Sequence, residues 1–195
     1  MGHLNTASSL VEAARTGAPG ACDQLLDSCL PVVLAWCRRM GGPHVDPEDA
    51  AHDAMIVVLT RLDRLDDDAR FDSWLYGITR RTLAGHRRRG WVKRWASAVV
   101  PEAIDESASP ADAALSSEIA REVRLLLERL PIKQREVLVM CDVEERTDEE
   151  VATLLSVPVG TVKSRLRHAR GRMRAMAVRQ TGLISISEIP SWGQG

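Results

Sequence analysis

Aromatic side chains are scarce in this chain. One Phe, one Tyr and five Trp make up 4% of its 195 residues, so a core must be built mostly from Leu, Val, Ala and Ile. That composition suits helices packed on helices. Long apolar runs are also missing: no stretch can span a bilayer, and residues 1–20 lack the basic, apolar and small-residue order of a signal peptide. A soluble, cytoplasmic chain without membrane insertion is expected. The four cysteines form no CxxC and no Cys/His cluster with zinc spacing. Cys22, Cys29 and Cys37 fall close to one helical face and Cys141 lies far away, which reads as buried free thiols in a reducing compartment. A redox or metal-sensing role would need two of them within reach of each other, with His44 or His52 as further ligands. There is no phosphate-cradling glycine loop, no metal-ligand run and no Ser/His/Asp signature. No catalytic residue, metal, cofactor or small-molecule substrate is therefore expected.

The net charge of −1 by itself argues against an indiscriminate nucleic-acid binder, but the distribution of charge says more. Residues 80–94 hold seven Lys and Arg and no acid, and residues 159–179 hold another seven and no acid. Together they contain 14 of the 26 basic residues, leaving 12 against all 27 acids. Two basic segments on an otherwise acidic chain point to two contacts with a polyanion.

The second segment sits in the most informative stretch, VPVGTVKSRLRHARGRMR at 157–174. Val159, Val162, Leu166, Ala169 and Met173 recur at helical spacing as one apolar stripe, and the other faces are basic. Upstream, Thr147-Asp148-Glu149-Glu150 has the form of a capping box opening a helix through Leu155. Ser156-Val157-Pro158 breaks it, and Pro158 can start the next helix. Two short helices, a tight turn and a basic second helix make a helix-turn-helix whose second member enters a DNA major groove. With Val162, Leu166 and Ala169 inward, Lys163, Arg167 and Arg170 share an outward face at i, i+4 and i+7.

The rest of the chain also reads as helix. Periodic apolar positions predict helices over 4–15 and 21–40, with Pro31 expected to kink or split the second. Asp46 as N-cap, Pro47 at the first position and acids in the first turn predict a third over 46–62, burying Ala50, Ala54, Val57 and Val58. Residues 65–72, LDDDARFD, read as an acidic loop, and 74–89 as a fourth helix. Trp91 and Trp95 follow among Lys93 and Arg94; such a pair either packs a helix end or stacks nucleic-acid bases. Residues 96–114 read as a flexible acidic linker. Helices over 115–130, burying Val123 among others, and 132–141 then lead into the helix-turn-helix. The expectation is an all-α protein of two small helical domains, 1–95 and 115–178, with a tail at 179–195 of no assigned role.

LPIKQREVLVMCDVEERTDEEVATLLSVPVGTVKSRLRHARGRM, residues 130–173, strongly resembles the promoter-recognition domain of bacterial sigma factors. More closely, it resembles that of the small two-domain extracytoplasmic-function (ECF) group. In the first domain, DPEDAAHDAMIVVL (46–59) resembles that group's polymerase-docking helix and FDSWLYGITRR (71–81) its helix for opening the −10 element. The resemblance covers about residues 21–176 and implies three jobs. Glu48, Asp49, His52, Asp53 and Met55 fall where the family docks on the polymerase's largest subunit. Asp68, Arg70, Phe71, Trp74, Arg80, Arg81, Arg87 and Arg88 fall where, or just beyond where, the non-template strand of the −10 element is bound, a base there being flipped into a pocket. Lys163, Ser164, Arg167 and His168 fall at base-facing positions of the −35 recognition helix, with Thr161, Arg165 and Arg172 toward phosphates. Arg170 joins them by spacing. Core RNA polymerase, promoter DNA in duplex and single-stranded form, and an anti-sigma factor are the implied partners.

The chain departs from the family pattern at named places. Glu145, Arg146 and Asp148 stand where the family often has Gly, Leu and an aromatic; Arg81 replaces a common Asn, and Met55 a common Phe. The rival reading is a one-component helix-turn-helix regulator that binds duplex operator DNA. It leaves the docking and WLY patterns of the first domain without a use.

Overall fold

A computed structural model describes residues 8–96 and 114–180. Among these residues there are eight α-helices and no strand: α1 (Ser8–Arg15), α2 (Ala21–Met40), α3 (Pro47–Arg61), α4 (Phe71–Ala96), α5 (Ala114–Glu128), α6 (Ile132–Leu138), α7 (Asp148–Leu155) and α8 (Val159–Gln180). The chain divides into two compact units, 2–121 and 122–195. Most of the expected linker, the tail from 181 and the helical start at 4–7 lie outside the described residues.

In the N-terminal unit each helix buries one stripe. α2 buries Ala21, Leu25, Cys29, Val33, Trp36, Cys37 and Met40, and runs unbroken past Pro31, which is exposed. Pro31 withholds a single hydrogen bond on the solvent side, so neither a split nor a separate element results. α3 is capped by Asp46, whose Oδ1 accepts from the Asp49 amide at 3.0 Å, with Pro47 leading the helix. Its buried face is Ala50, Ala51, Ala54, Met55 and Val58. Trp36 and Tyr76 meet edge to face at 5.1 Å, and the Tyr76 hydroxyl donates to Met40 Sδ at 3.5 Å.

The acidic stretch 65–72 is more ordered than a polar loop. Two 3₁₀ turns (Leu62–Arg64 and Asp68–Arg70) flank Leu65, which is buried, and Phe71 is buried at the start of α4. Arg15 ties this stretch to α1: its Nη1 donates to the Leu65 carbonyl at 3.1 Å and its Nη2 lies 3.5 Å from Asp68 Oδ2.

In the C-terminal unit, Leu127 and Leu130 are buried, whereas Val123 is exposed, contrary to its place in the expected stripe. The expected helix over 132–141 ends at Leu138 and continues as a π-helical turn, Val139–Val143. There the Glu144 amide donates to the Val139 carbonyl at 3.0 Å, one residue further back than in an α-helix. Glu145 then takes φ +56°, and Glu144 and Arg146 form a buried ion pair at 3.1 Å. The capping box is present: the Thr147 amide donates to Glu150 Oε2 at 2.8 Å, and the Glu150 amide to Thr147 Oγ1 at 3.2 Å. Ser156 closes α7 in the left-handed region, φ +53°, and α8 buries Val162, Leu166, Ala169 and Met173 as its stripe requires.

Glu145 occupies a left-handed conformation that costs an L-residue roughly 1–2 kcal/mol, against about 0.5–1 kcal/mol of extra unfolded-state entropy for glycine. Glu145→Gly is therefore expected to stabilise the C-terminal unit by about 0.5–1 kcal/mol in urea denaturation. An unchanged or lower midpoint would show that the glutamate side chain contributes more than the backbone costs.

Candidate nucleic-acid and docking faces

On α8, burial of the apolar stripe turns Lys163, Ser164, Arg167, His168 and Arg172 outward, all exposed, with Thr161 and Arg165 half-buried at its flanks. His168 Nδ1 lies 2.8 Å from the Ser164 carbonyl. A carbonyl only accepts, so Nδ1 carries the proton and a neutral ring keeps Nε2 as an acceptor.

Arg170 does not join that face. Its Nη2 and Nε donate to Asp142 at 2.7 and 3.1 Å, a bidentate pair that ties α8 to the π-helical turn. The hydrogen bond to Asp142 raises its pKa further. Helical spacing placed Arg170 beside Arg167, but the π turn brings an acceptor within reach of its guanidinium.

On α4, Arg80, Arg81 and Arg88 are exposed, as is Arg70 just before it, which lies 3.4 Å from Asp67. Two residues expected to contact DNA are engaged within the fold. Phe71 is 2% exposed, with the half-buried Trp74 tilted against it at 6.0 Å. Arg87 Nη1 donates to the Met40 carbonyl at 2.9 Å, satisfying an acceptor at the negative end of α2. Asp68 is half-buried and engaged by Arg15.

On α3, Glu48, Asp49, His52 and Asp53 are exposed. Met55 is not part of this face: it is buried beside Ala51, Ala54 and Val58 in the helix's inward stripe. Ile56 and Leu59, which the sequence reading passed over, are 47% and 40% exposed. They follow His52 at i+4 and i+7, a spacing legible once the inward stripe is placed. Glu48 pairs with Arg38 at 2.7 Å, and Asp53 lies 2.8 Å from His86 Nε2 and 3.5 Å from Arg89, both on α4.

All four cysteines are free. Burial pushes the Cys37 thiol up to about 12, helped by Glu48, and burial with Asp148 and Asp142 pushes Cys141 up to about 12. Among the described residues no group of three or more His, Cys, Asp and Glu is placed to hold a metal ion, and no helix is long and apolar enough to cross a membrane.

A helix-turn-helix with a basic outer face, on a chain whose other unit carries a second basic helix, defines a helical DNA-binding transcription factor. The Sigma-70 region 2 family matches residues 25–99 and the Sigma-70, region 4 family residues 120–173. The ECF RNA polymerase sigma factor ShbA of Streptomyces griseus is 31% identical over 87% of this chain and 94% of its own length. CnrH, solved with the cytosolic domain of CnrY, is 25% identical with a TM-score of 0.65 over 89% of this chain and 98% of that one. RpoE of Bartonella quintana, solved with the anti-sigma factor NepR, shares the fold at 22% identity and a TM-score of 0.62, over 82% of this chain and 98% of that one. The chain belongs to the ECF RNA polymerase sigma factor family. It is accordingly an alternative sigma factor that directs promoter-specific transcription.

Raised thiol pKa values leave little thiolate at neutral pH. Iodoacetamide on the native chain near pH 7.5 is expected to modify Cys37 and Cys141 roughly a hundredfold or more slowly than an unperturbed thiol, with rates rising as pH climbs toward 12. Site-resolved mass spectrometry reads this; fast labelling of either would show that its site opens readily.

Proposed function

We propose that this chain works as a cytoplasmic initiation factor that joins core RNA polymerase and handles two parts of a promoter with its two units. The C-terminal unit reads −35 duplex through Lys163, Ser164, Arg167 and His168, while Thr161, Arg165 and Arg172 position the helix on phosphates. The N-terminal unit holds the opened −10 strand on the face carrying Arg70, Trp74, Arg80, Arg81 and Arg88, with Asp68 in the turn beside it. Glu48, Asp49, His52 and Asp53 dock on the polymerase, and Ile56 and Leu59 add apolar area to that contact. Arg170, Arg87, Phe71 and Met55 support these faces from beneath. The reading assigns the chain no chemistry of its own. RpoE was solved with an anti-sigma factor, and we propose a partner of that kind here.

The observation that carries the proposal is a second basic helix on the unit that lacks the helix-turn-helix. An operator-binding regulator needs only the duplex reader. Run-off transcription with core polymerase and the full chain is the test: promoter-specific initiation is expected, and DNA retention without initiation would sink the reading.

Arg167 and Arg170 make an internal comparison. Arg167→Ala is expected to relax preference at one −35 base pair by roughly 1–3 kcal/mol. Arg170→Ala removes a helix tether and should weaken all promoters without changing their rank order. Competition transcription on a −35 library measures both, and the opposite pattern would reverse the two assignments.

A further inference from the structure

Trp91 is 57% exposed near the end of α4, and Val92 beside it is 50% exposed. A tryptophan that merely packed the end of a helix would be covered. Single exposed apolar residues are common, so the position of this one has to carry the argument. Along α4, residues 81, 84, 88 and 91 follow one another at i, i+3, i+7 and i+10 and share a face. All four are exposed, while Leu75, Tyr76, Thr79 and Leu83 are buried on the opposite side. Trp91 thus continues the line that Arg81 and Arg88 begin.

This end of the helix is held in place. A Cβ at Gly90 would lie 2.7 Å from the His44 carbonyl oxygen and 3.0 Å from His44 Cβ, so the α4 backbone sits directly on the loop between α2 and α3. Arg87, one turn earlier, is anchored to the Met40 carbonyl. The ring is therefore presented by a fixed backbone. Basic residues near a helix C-terminus complement its dipole, which accounts for the charges but not for an exposed indole among them. No acid occurs between 80 and 94, so this segment favours a polyanion such as a nucleic-acid strand.

We propose that Trp91 is a DNA-contact residue whose indole stacks on a base of the strand that α4 holds. This rests on the promoter-opening reading of α4 and extends it. Arg81 and Trp91 are separated by roughly 15 Å of helix, or about four to five stacked nucleotides. Trp91 meets the strand that far from the site of Arg81, and stacking there lengthens the life of the open complex without reading base identity.

The test uses holoenzyme assembled from core polymerase and the full chain, on a template that the wild-type holoenzyme transcribes from a defined start. Failure of the wild type to initiate overturns the sigma reading itself, separately from this proposal. With initiation in hand, Trp91→Ala should shorten open-complex lifetime under heparin challenge roughly tenfold, while Trp91→Phe keeps it within about twofold. p-Benzoylphenylalanine at position 91 should crosslink to the non-template strand about four to five nucleotides from the crosslink made from position 81. Wild-type lifetime for Trp91→Ala, or a crosslink to a polymerase subunit in place of DNA, overturns the proposal.

Discussion

The edge-to-face contact of Trp36 with Tyr76 is the fixed point of the N-terminal unit. It joins α2 to α4 in a core with little else aromatic, since the single Tyr and single Phe of the chain are both used there. Tyr76 reaches Met40 at the end of α2, and Arg87, three turns further along α4, reaches the Met40 carbonyl. The register of α4 on α2 is therefore set at two levels. Because side chains on one helix keep their angular order, turning Leu75, Thr79 and Leu83 inward leaves Arg81 and Arg88 on the opposite, exposed side. The exposed basic face is the complement of the core.

Arginines in this chain divide by whether an acceptor lies within reach. Arg15, Arg87, Arg146 and Arg170 each engage a carbonyl or carboxylate of the fold, whereas Arg81, Arg88, Arg167 and Arg172 lie exposed on their helices. The guanidinium suits both roles because its fork of donors matches a carboxylate as well as a phosphate. The Arg170–Asp142 pair is the sharper case: it ties α8 to the π-helical turn, while the buried stripe from Val162 to Met173 sets which side chains turn outward.

Much of this was legible from the residues alone. The capping box at Thr147, the Asp46-Pro47 start of α3 and the stripe from Val162 to Met173 have local physical causes, and each stands where periodicity put it. What escaped depends on contacts between segments distant in sequence. Phe71 reads as a strand contact until Leu65 and the neighbouring turns are seen to fold inward with it. Arg170 reads as a base contact because the π turn, which no propensity signals, is what carries Asp142 to it. Met55 and Ile56 exchange places for a simpler reason: α3 buries an alanine-rich stripe, and a one-residue error in its centre exchanges the inward and outward side chains.

These intramolecular ties also bear on how tightly the free chain binds DNA. Polyanion affinity grows with the number of phosphates neutralised, log K falling with log salt in proportion to that number. Counting every Lys and Arg in the two basic segments overstates it, since Arg87, Arg89 and Arg170 already face partners within the protein. The remaining exposed cations are spread over two units and set against 27 acidic residues in the whole chain. Neither unit alone gathers the dense positive charge from which a strong non-specific binder is made. Specific binding must then draw on geometry: a reading helix held at one rotation, and a second face that gains its contacts only where a strand is open. Docking onto polymerase supplies both conditions at once, by concentrating the two units on one promoter and by acting beside the DNA being opened.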